Sequence, residues 1–332
     1  MKKILITGAS GFIGSFMVEE ALRRGYETWV AVRRSSSLAY LQDERIHLIE
    51  LDFSEPERLQ QQLRECSFDY VIHAAGVTKC LHQSDFYKVN TEGTISLVKA
   101  LVAMKMPLKR FVYLSSLSVF GPIREQQPYT AIEPTDNPMP NTAYGKSKLE
   151  AEKFLDTVAD QINFVILRPT GVYGPREKDY FLMAKSIRQH VDFSVGYKPQ
   201  DITFVYVDDV VRASFLALEQ GKNGGKYFLS DGSVYRSTDF SRLLHLEMGR
   251  PWLLRIKAPV VLLRVVTFLG EYVGRLTGQV SALNNDKYHI LKQRNWRCNI
   301  QPAIDELGYQ PQVNLEQGVR KTVAWYKANG WL

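Results

Sequence analysis

Short apolar runs alternate with amphipathic stretches through the first two thirds of the chain. The runs are rich in Val, Ile, Leu and aromatic residues, which is typical of buried strands. Six such strands are predicted, at Lys3–Thr7, Thr28–Arg33, Ile46–Leu51, Tyr70–His73, Arg110–Leu114 and Asn163–Leu167. The stretches between them predict helices at Phe12–Arg24, Glu55–Cys66, Phe86–Met104 and Thr142–Asp160. This alternation indicates a doubly wound α/β fold, with a parallel sheet covered on both faces.

Two segments interrupt the alternation. Gly121–Asn141 contains five prolines, too many for a helix or a central strand. Arg168–Gly174 carries one proline and two glycines directly after a predicted strand, where ligand sites of parallel sheets lie. After Tyr235 the pattern is mostly helical. We therefore predict a dinucleotide-binding domain over residues 1–170, to which residues 200–230 return, and a smaller, mostly helical substrate lobe from residues 171–199 and 231–332.

Composition excludes several classes of protein. The chain has 332 residues, 45% hydrophobic and 23% charged, which excludes disordered, collagen-like and disulfide-scaffold proteins. Its 42 basic and 35 acidic residues leave a net charge of +7 without a dense basic tail. This balance suits a small anionic ligand and predicts no nucleic-acid partner. Three widely spaced cysteines indicate neither disulfides nor a metal site, so we expect a cytoplasmic protein.

The most apolar late stretch runs from Ala258 to Leu276. It is interrupted by Arg264, Gly270, Glu271 and Arg275, whereas a membrane span needs about 20 mostly apolar residues. We therefore expect no integral membrane segment. A helix on a membrane surface is the alternative, and a helix packed on the domain core is the preferred interpretation.

A glycine-rich loop joins the first predicted strand to the first predicted helix, with the sequence TGASGFIG. Glycines at such a junction let the backbone approach a pyrophosphate, which then sits on the helix N-terminus. The loop therefore predicts a Rossmann-like dinucleotide site. Its expected cofactor-binding residues are Gly8, Ser10, Gly11, Phe12, Ile13 and Gly14.

The end of the second strand bears on the choice of cofactor. A site that favours NAD would place Asp or Glu there to hold the ribose hydroxyls, but this chain has Arg33 and Arg34. A guanidinium can instead bind a 2′-phosphate through two hydrogen bonds, which favours NADP(H) over NAD(H). The alternative is a solvated strand end. The ends of the next two strands add the expected cofactor contacts Asp52, Phe53, Ala74, Ala75 and Gly76.

A tyrosine and a lysine lie four residues apart on one face of a predicted helix, at Tyr144 and Lys148. A nearby positive charge favours the phenolate, so Tyr144 could exchange protons closer to neutral pH. Ser116, after the fifth strand, places a hydroxyl near the reactive end of the cofactor; alternatively, it only ends the strand. Tyr288 and Lys292 have the same spacing without such a strand, and we interpret them as structural.

These motifs resemble the extended short-chain dehydrogenase/reductase superfamily, often called the NAD-dependent epimerase/dehydratase family. The matching segments are TGASGFIG, HAAG, VNTEGT, YLSSLSVFG, YGKSK, LRPTGVYGP and VYVDD, in the order of the family and over nearly the whole chain. The resemblance implies that Tyr144 is the general acid/base, that Lys148 lowers its pKa and holds the nicotinamide ribose, and that Ser116 binds the substrate oxygen. It also implies a homodimer formed through the helices Phe86–Met104 and Thr142–Asp160.

The resemblance implies further site residues. Asn90 would shape the site, although it could instead only cap its helix, and Ser118 would assist Ser116. Pro169, Val172 and Tyr173 would line the nicotinamide pocket, with Tyr173 also near the substrate. Family members that use NAD commonly carry an acidic residue where Arg33 stands. Family dehydratases place acidic residues after the catalytic hydroxyl, whereas Leu117 and Ser118 follow Ser116 here.

Three functions remain open on these grounds. The first is an NADP(H)-dependent oxidoreductase acting on a secondary alcohol or ketone, like hydroxysteroid or dihydroflavonol-type reductases. The second is a nucleotide-sugar epimerase that retains NAD and needs a second anion site. Its candidates are Arg176, Lys178, Lys185 and Arg188, for which a solvated helix face is the alternative. The third is a non-catalytic dinucleotide sensor. Proteins of this third kind have typically lost the Tyr/Lys pair that this chain keeps.

Overall fold

The structure is a computed structural model that describes residues 1–249, 252–278 and 284–332. Its strands, in chain order, are β1 (Lys3–Thr7), β2 (Glu27–Val32), β3 (Ile46–Glu50), β4 (Tyr70–His73), β5 (Arg110–Leu114), β6 (Phe164–Pro169), β7 (Gly171–Tyr173), β8 (Val191–Val195), β9 (Asp201–Ile202), β10 (Phe204–Tyr206), β11 (Gly225–Leu229), β12 (Tyr235–Arg236) and β13 (Leu254–Ala258). Seven of them form one parallel sheet in the order β11-β6-β5-β4-β1-β2-β3. This is the doubly wound, Rossmann-like sheet that the sequence predicts.

The α-helices are α1 (Phe12–Arg23), α2 (Pro56–Gln62), α3 (Gln83–Phe86), α4 (Gly93–Ala103), α5 (Ala143–Thr157), α6 (Asp179–Arg188), α7 (Val207–Gln220), α8 (Asp239–Glu247), α9 (Val260–Thr277), α10 (Asn285–Lys292), α11 (Gln301–Leu307) and α12 (Leu315–Ala328). One 3₁₀ turn covers Leu117–Val119. The prediction of one helix over Phe86–Met104 is wrong in detail. A π-helical turn at Tyr87–Glu92 separates α3 from α4, and its wider winding carries Asn90 into the interior.

The sheet is the middle layer of the main core. Alternate strand residues point to opposite faces, so Ile4 and Ile6 pack with α1 and α7, while Leu5 belongs to a second cluster with α2, α4 and α5. Strand β11 extends the sheet beyond β6. Because the strands are parallel, the ends of β1, β2, β4 and β5 meet at one edge, where the predicted site residues lie.

The region outside the large sheet is mostly helical, as expected. Three two-stranded ribbons, β7–β10, β9–β12 and β8–β13, lie among its helices. We expected α9 to pack on the domain core, and its exposure differs from that expectation. Leu263 and Thr267 are buried, but most of the apolar side chains of α9 are exposed. Within residues 1–249, 252–278 and 284–332, no helix is long and apolar enough to cross a membrane.

Candidate active site

The glycine-rich loop joins β1 to α1 at the carboxyl edge of the sheet. Gly8 has a left-handed φ of +70°, and a Cβ there would lie 2.5 Å from the backbone of Ala74. A Cβ on Gly14 would lie 2.2 Å from the carbonyl oxygen of Gly8. Gly11 precedes α1 without a side-chain cap, and the first turn holds no acidic residue. The N-terminal amides and positive dipole end of α1 therefore suit an anionic group. The other predicted loop residues, Ser10, Phe12 and Ile13, are partly exposed on this turn.

The two arginines after β2 have different surroundings. Arg33 is exposed, its backbone amide donates to the hydroxyl of Ser36 at 2.9 Å, and its guanidinium has no ion pair among the described residues. The guanidinium Nε of Arg34 lies 3.0 Å from Oε1 of Glu50, at the end of β3, although its side chain is 90% exposed. Arg33 is therefore the arginine that is free to bind a phosphate.

The loop after β3 carries the other two predicted contacts for the adenosine half of the cofactor. Hydrogen bonds from Ser54, with the guanidinium of Arg58 nearby, hold the pKa of Asp52 below its ordinary value. The ring of Phe53 lies 6.1 Å from the ring of His73, centroid to centroid, beside the end of β4. Asp52 therefore stays a carboxylate at neutral pH, and Phe53 offers an apolar face at the same edge of the sheet.

A chain of hydrogen bonds runs behind the end of β4. The Thr94 hydroxyl donates to the carbonyl oxygen of Asn90 at 2.7 Å, so it accepts from Nε2 of His73 at 2.9 Å. Nδ1 of His73 then accepts from the Thr7 hydroxyl at 2.7 Å, and the same hydroxyl accepts from the amide of Ala75 at 3.2 Å. Burial lowers the pKa of His73 to about 3. His73 is thus a neutral structural bridge.

Asn90 does more than cap a helix. Its Oδ1 accepts from the amide of Val77 at 2.8 Å, and its Nδ2 donates to the carbonyl of Val77 at 3.1 Å and to Oγ of Ser147 at 3.0 Å. It therefore ties the segment after β4 to α5. A Cβ on Gly76 would lie 3.1 Å from both Oδ1 of Asn90 and Nζ of Lys148. A glycine there keeps this part of the cleft open.

Ser116, Tyr144 and Lys148 come together at the end of β5. The side chain of Tyr144 lies beside that of Ser116, whose Oγ accepts from the amide of Ser118 at 3.1 Å. Lys148 is buried, donates to the carbonyl oxygen of Leu114 at 2.8 Å, and has a pKa lowered to about 8 by burial. Tyr144 and Lys148 lie 28 and 32 positions after Ser116 in the sequence, and the fold brings all three close together.

The pKa of Tyr144 differs from our expectation. Burial raises the pKa of Tyr144 above its ordinary value, and the neighbouring side chain of Ser116 opposes that rise. The ammonium of Lys148, which we expected to lower this pKa, is directed to the carbonyl of Leu114. At neutral pH Tyr144 is therefore protonated and able to donate.

Asp286 is a site residue that the sequence did not indicate. Its two carboxylate oxygens accept from the backbone amides of Ala143 and Tyr144, each at 3.0 Å. The neighbouring Lys287 lies 3.0 Å from Oδ2 of Asp179 at the start of α6, and Lys79 contacts the other oxygen of Asp179. Helix α10 is thus bound both to the catalytic helix and to the opposite side of the cleft.

Glu152 is the second residue that the sequence did not indicate. It lies one turn after Lys148 on α5, accepts from Ser115 at 2.5 Å, and forms a buried ion pair with Arg168 through contacts of 3.1 and 2.5 Å. Its charge raises the pKa of Lys148 against the larger lowering by burial. The sequence could have indicated this role of Glu152, because a charged residue four positions after Lys148 falls on the side of α5 that faces the core.

The remaining predicted residues are distributed over two regions. Pro169 ends β6, and Val172, in β7, is partly exposed beside it. Tyr173 is buried in an aromatic cluster, and its hydroxyl donates to the carbonyl of Asn314 at 3.3 Å. The guanidinium of Arg176 is held against α1 by Ser15 at 2.9 Å, Glu19 at 2.6 Å and the ring of Phe16, and it also contacts the ring of Tyr40. Tyr173 and Arg176 therefore support the fold around the site.

Comparison with known proteins agrees with this architecture. The chain is 25% identical to a decarboxylating sterol-4-alpha-carboxylate 3-dehydrogenase of Schizosaccharomyces pombe, over 98% of this chain and 97% of that protein. It is 26% identical to a UDP-glucose 4-epimerase of Vibrio cholerae, over 99% and 97%. A dTDP-glucose 4,6-dehydratase of Streptomyces venezuelae, solved with NAD and TYD bound, has the same fold, with a TM-score of 0.80 at 22% identity over 99% and 98% of the two chains.

The family is shown by a match that does not depend on any single relative. The model of the NAD dependent epimerase/dehydratase family matches residues 4–229, from β1 to the end of β11. This range contains the glycine-rich loop, the end of β4 and the Ser116–Tyr144–Lys148 group. The chain belongs to the NAD dependent epimerase/dehydratase family and is an enzyme that uses a nicotinamide dinucleotide.

Proposed function

We propose that the protein is an NADP(H)-dependent oxidoreductase that transfers hydride between the nicotinamide and a secondary alcohol or ketone. The proximity of the Tyr144 and Ser116 side chains at the end of β5 carries this proposal. Two neighbouring hydroxyls at a strand end can both bind one substrate oxygen placed between them. Lys148 supplies a positive charge one turn further along α5, next to Gly76.

Each of the three side chains has a separate role in this proposal. Tyr144 gives its proton to the substrate oxygen during reduction and takes it back during oxidation. Ser116 donates a hydrogen bond to the same oxygen and stabilises the charge that develops there. Lys148 stabilises negative charge on Tyr144 and holds the nicotinamide ribose. The nicotinamide, when bound, supplies or accepts the hydride.

The described residues fit a dinucleotide. The N-terminus of α1 is capped by Gly11 without a side chain, so its amides suit the pyrophosphate. The expected cofactor contacts at the ends of β2, β3 and β4 lie along the same sheet edge. The hydroxyl of Thr170, between Pro169 and Val172, is buried without a hydrogen-bond partner among the described residues. A polar group of a bound nicotinamide would give it one.

Arg33 supports the choice of NADP(H). Its exposed guanidinium follows β2, the neighbour of β1 in the sheet, and it has no ion pair among the described residues. An unpaired guanidinium can form two parallel hydrogen bonds with a 2′-phosphate. Arg34 is less suited because Glu50 already neutralises it.

The experiment is a fluorescence titration of cofactor-stripped protein with NADPH and NADH, followed by turnover assays of Tyr144→Phe. We expect NADPH to bind about tenfold or more tightly, a difference of about 1.4 kcal/mol. Tyr144→Phe should keep NADPH binding and lose ketone reduction, while Tyr288→Phe, the same change at the same Tyr/Lys spacing, should keep both. Preference for NADH, or full turnover by Tyr144→Phe, would reject the proposal.

The nucleotide-sugar epimerase is the alternative, and the UDP-glucose 4-epimerase among the relatives keeps it under consideration. Arg176, one of the four candidates for its second anion site, is instead bound to Ser15 and Glu19 on α1. The two functions differ in their products, because an epimerase returns the hydride and releases no oxidised sugar. Tightly retained NAD and interconversion of nucleotide sugars would favour the epimerase.

We also propose a cytoplasmic homodimer formed through α4 and α5, on the strength of the family resemblance. Size-exclusion chromatography with light scattering tests the oligomeric state. A monomer at all concentrations would reject it.

A further inference from the structure

Helix α9 exposes the side that an amphipathic helix normally buries. Leu263 and Thr267 are 6% and 2% exposed, and α9 packs against α10. The large apolar side chains that it exposes are Val261, Leu262, Val265, Val266, Phe268, Leu269, Tyr272 and Leu276. At 3.6 residues per turn, these eight positions fall within an arc of about 160°. The helix is about 27 Å long, so the exposed apolar stripe is extensive.

The neighbouring ribbon β8–β13 adds to this stripe. Phe193 and Ile256 are direct partners in the ribbon, and both are exposed, as is Leu254 on the same face as Ile256. Trp252 and Tyr197 are exposed beside them, at 59% and 66%. We name α9 together with β13 and these aromatic residues the apolar face. Soluble monomers rarely expose so many large apolar side chains along one helix and the strand that precedes it, which marks an interaction surface.

The charged residues around the apolar face are mostly basic. Among residues 252–272 the basic residues are Arg255, Lys257 and Arg264, and the acidic residue is Glu271. The side chain of Arg264 is exposed, Arg255 lies 3.9 Å from the carboxylate of Asp192 on β8, and the ammonium of Lys257 lies 5.2 Å from the ring centre of Tyr197. Two copies meeting through this face would bring two basic surfaces together. An anionic lipid surface would attract the basic residues while its acyl region takes up the apolar ones.

We propose that the apolar face binds the surface of an anionic membrane, with α9 lying in the plane of the interface. Tyr197, Trp252 and Tyr272 are amphipathic aromatic residues suited to the headgroup level. The protein is then held peripherally through α9. Helix α10 packs against α9 and binds the start of α5 through Asp286. The active-site cleft is therefore held close to the lipid surface.

The test is flotation of the full-length protein with lipid vesicles in a sucrose gradient, where aggregated protein stays at the bottom. The vesicles are phosphatidylcholine alone, or phosphatidylcholine mixed with phosphatidylglycerol. We expect flotation with the mixed vesicles and much less with phosphatidylcholine alone. The double variant Phe268→Glu/Leu269→Glu should lose flotation. Leu48→Glu, an equivalent change at an exposed leucine of β3, should float like the unchanged protein.

Charge is tested separately with Lys257→Glu/Arg264→Glu, which should weaken binding to the mixed vesicles by roughly tenfold or more. Circular dichroism confirms that each variant is folded, which is expected because every substituted side chain is exposed. Absence of flotation, or equal flotation of the Phe268→Glu/Leu269→Glu variant, overturns the proposal. A dimer in light scattering that this double variant breaks, without flotation, also overturns it and shows that a second copy covers the apolar face.

Discussion

The carboxylate of Asp286 binds the backbone amide of Tyr144, the proposed acid/base, at 3.0 Å across 142 positions of sequence. Its other oxygen binds the amide of Ala143 at the same distance. These amides belong to the first turn of α5, where helix N–H groups have no partner within the helix. A residue of α10 therefore satisfies and orients the start of the catalytic helix.

We expect Asp286→Ala to lower the kcat of ketone reduction by about tenfold or more, because a small displacement of Tyr144 misplaces the proton that it transfers. Loss of the cap should also cost about 1–2 kcal/mol of unfolding free energy. Steady-state kinetics and urea unfolding measure the two effects. Asp286→Asn keeps one acceptor oxygen, so its kcat and its unfolding free energy should both lie between those of Asp286→Ala and the unchanged protein.

Asp160, exposed after the other end of α5, provides the matched control. Asp160→Ala should leave kcat and unfolding free energy within error of the unchanged protein. An Asp286→Ala enzyme with normal kcat would show that α10 does not position Tyr144.

A second prediction concerns the buried pair of Glu152 and Arg168. Glu152→Gln leaves the guanidinium of Arg168 uncompensated in a buried site, and breaking such pairs costs about 3–5 kcal/mol. The unfolding free energy should fall by about 3 kcal/mol, measured by urea unfolding. Asp156, also on α5, forms a partly exposed ion pair with Lys226 of β11, and Asp156→Asn should cost less than about 1 kcal/mol. Equal losses in the two variants would contradict the prediction.

The local pattern of the sequence predicted the parts of the site that are built from neighbouring residues. The TGASGFIG loop joins one strand to the next helix, and Tyr144 and Lys148 lie one helical turn apart. Periodicity and glycine placement report such short-range relationships directly. The ends of β1, β4 and β5 then followed from the rule that ligands bind at the carboxyl edge of a parallel sheet.

The remainder depends on contacts between distant segments. Asp286 has the sequence signature of an ordinary acidic residue in the first turn of its own helix, and only tertiary packing directs it to α5. Periodicity also does not determine whether the apolar side of α9 faces the core or the solvent, because the sequence pattern is the same in both cases. The sequence pattern of Arg176 is equally that of an anion ligand, and only its tertiary contacts with Ser15 and Glu19 show that the guanidinium is already bound.

A third prediction tests the proposed role of Arg33 in selecting NADP(H). Arg33→Ser should weaken NADPH binding by about tenfold or more, since it removes two charge-assisted hydrogen bonds to the 2′-phosphate. NADH binding should change less than about twofold, because NADH lacks that phosphate. Arg34→Ser is the matched control and should have a smaller effect, given the contact of Arg34 with Glu50. Equal weakening of NADPH and NADH by Arg33→Ser would contradict the assignment.

The fourth prediction follows from the pKa of Lys148, which burial lowers to about 8 from an ordinary value of 10.5. Between these two pH values the unfolded chain keeps the proton that the folded protein has released. The unfolding free energy therefore rises with pH across this window, by roughly 1–3 kcal/mol. Lys148→Met removes the titrating group and should remove the rise.

Urea unfolding of both proteins at about pH 7.5 and about pH 10 measures this effect, because these two pH values cover most of the window between the folded and unfolded pKa. The free energy of the unchanged protein minus that of Lys148→Met should increase with pH, because all other titrating groups are common to both. Lys146→Met, at an exposed position of the same helix, should show no such change. A difference that stays constant or decreases would mean that Lys148 keeps its ordinary pKa in the folded protein, and that burial does not disfavour its charge.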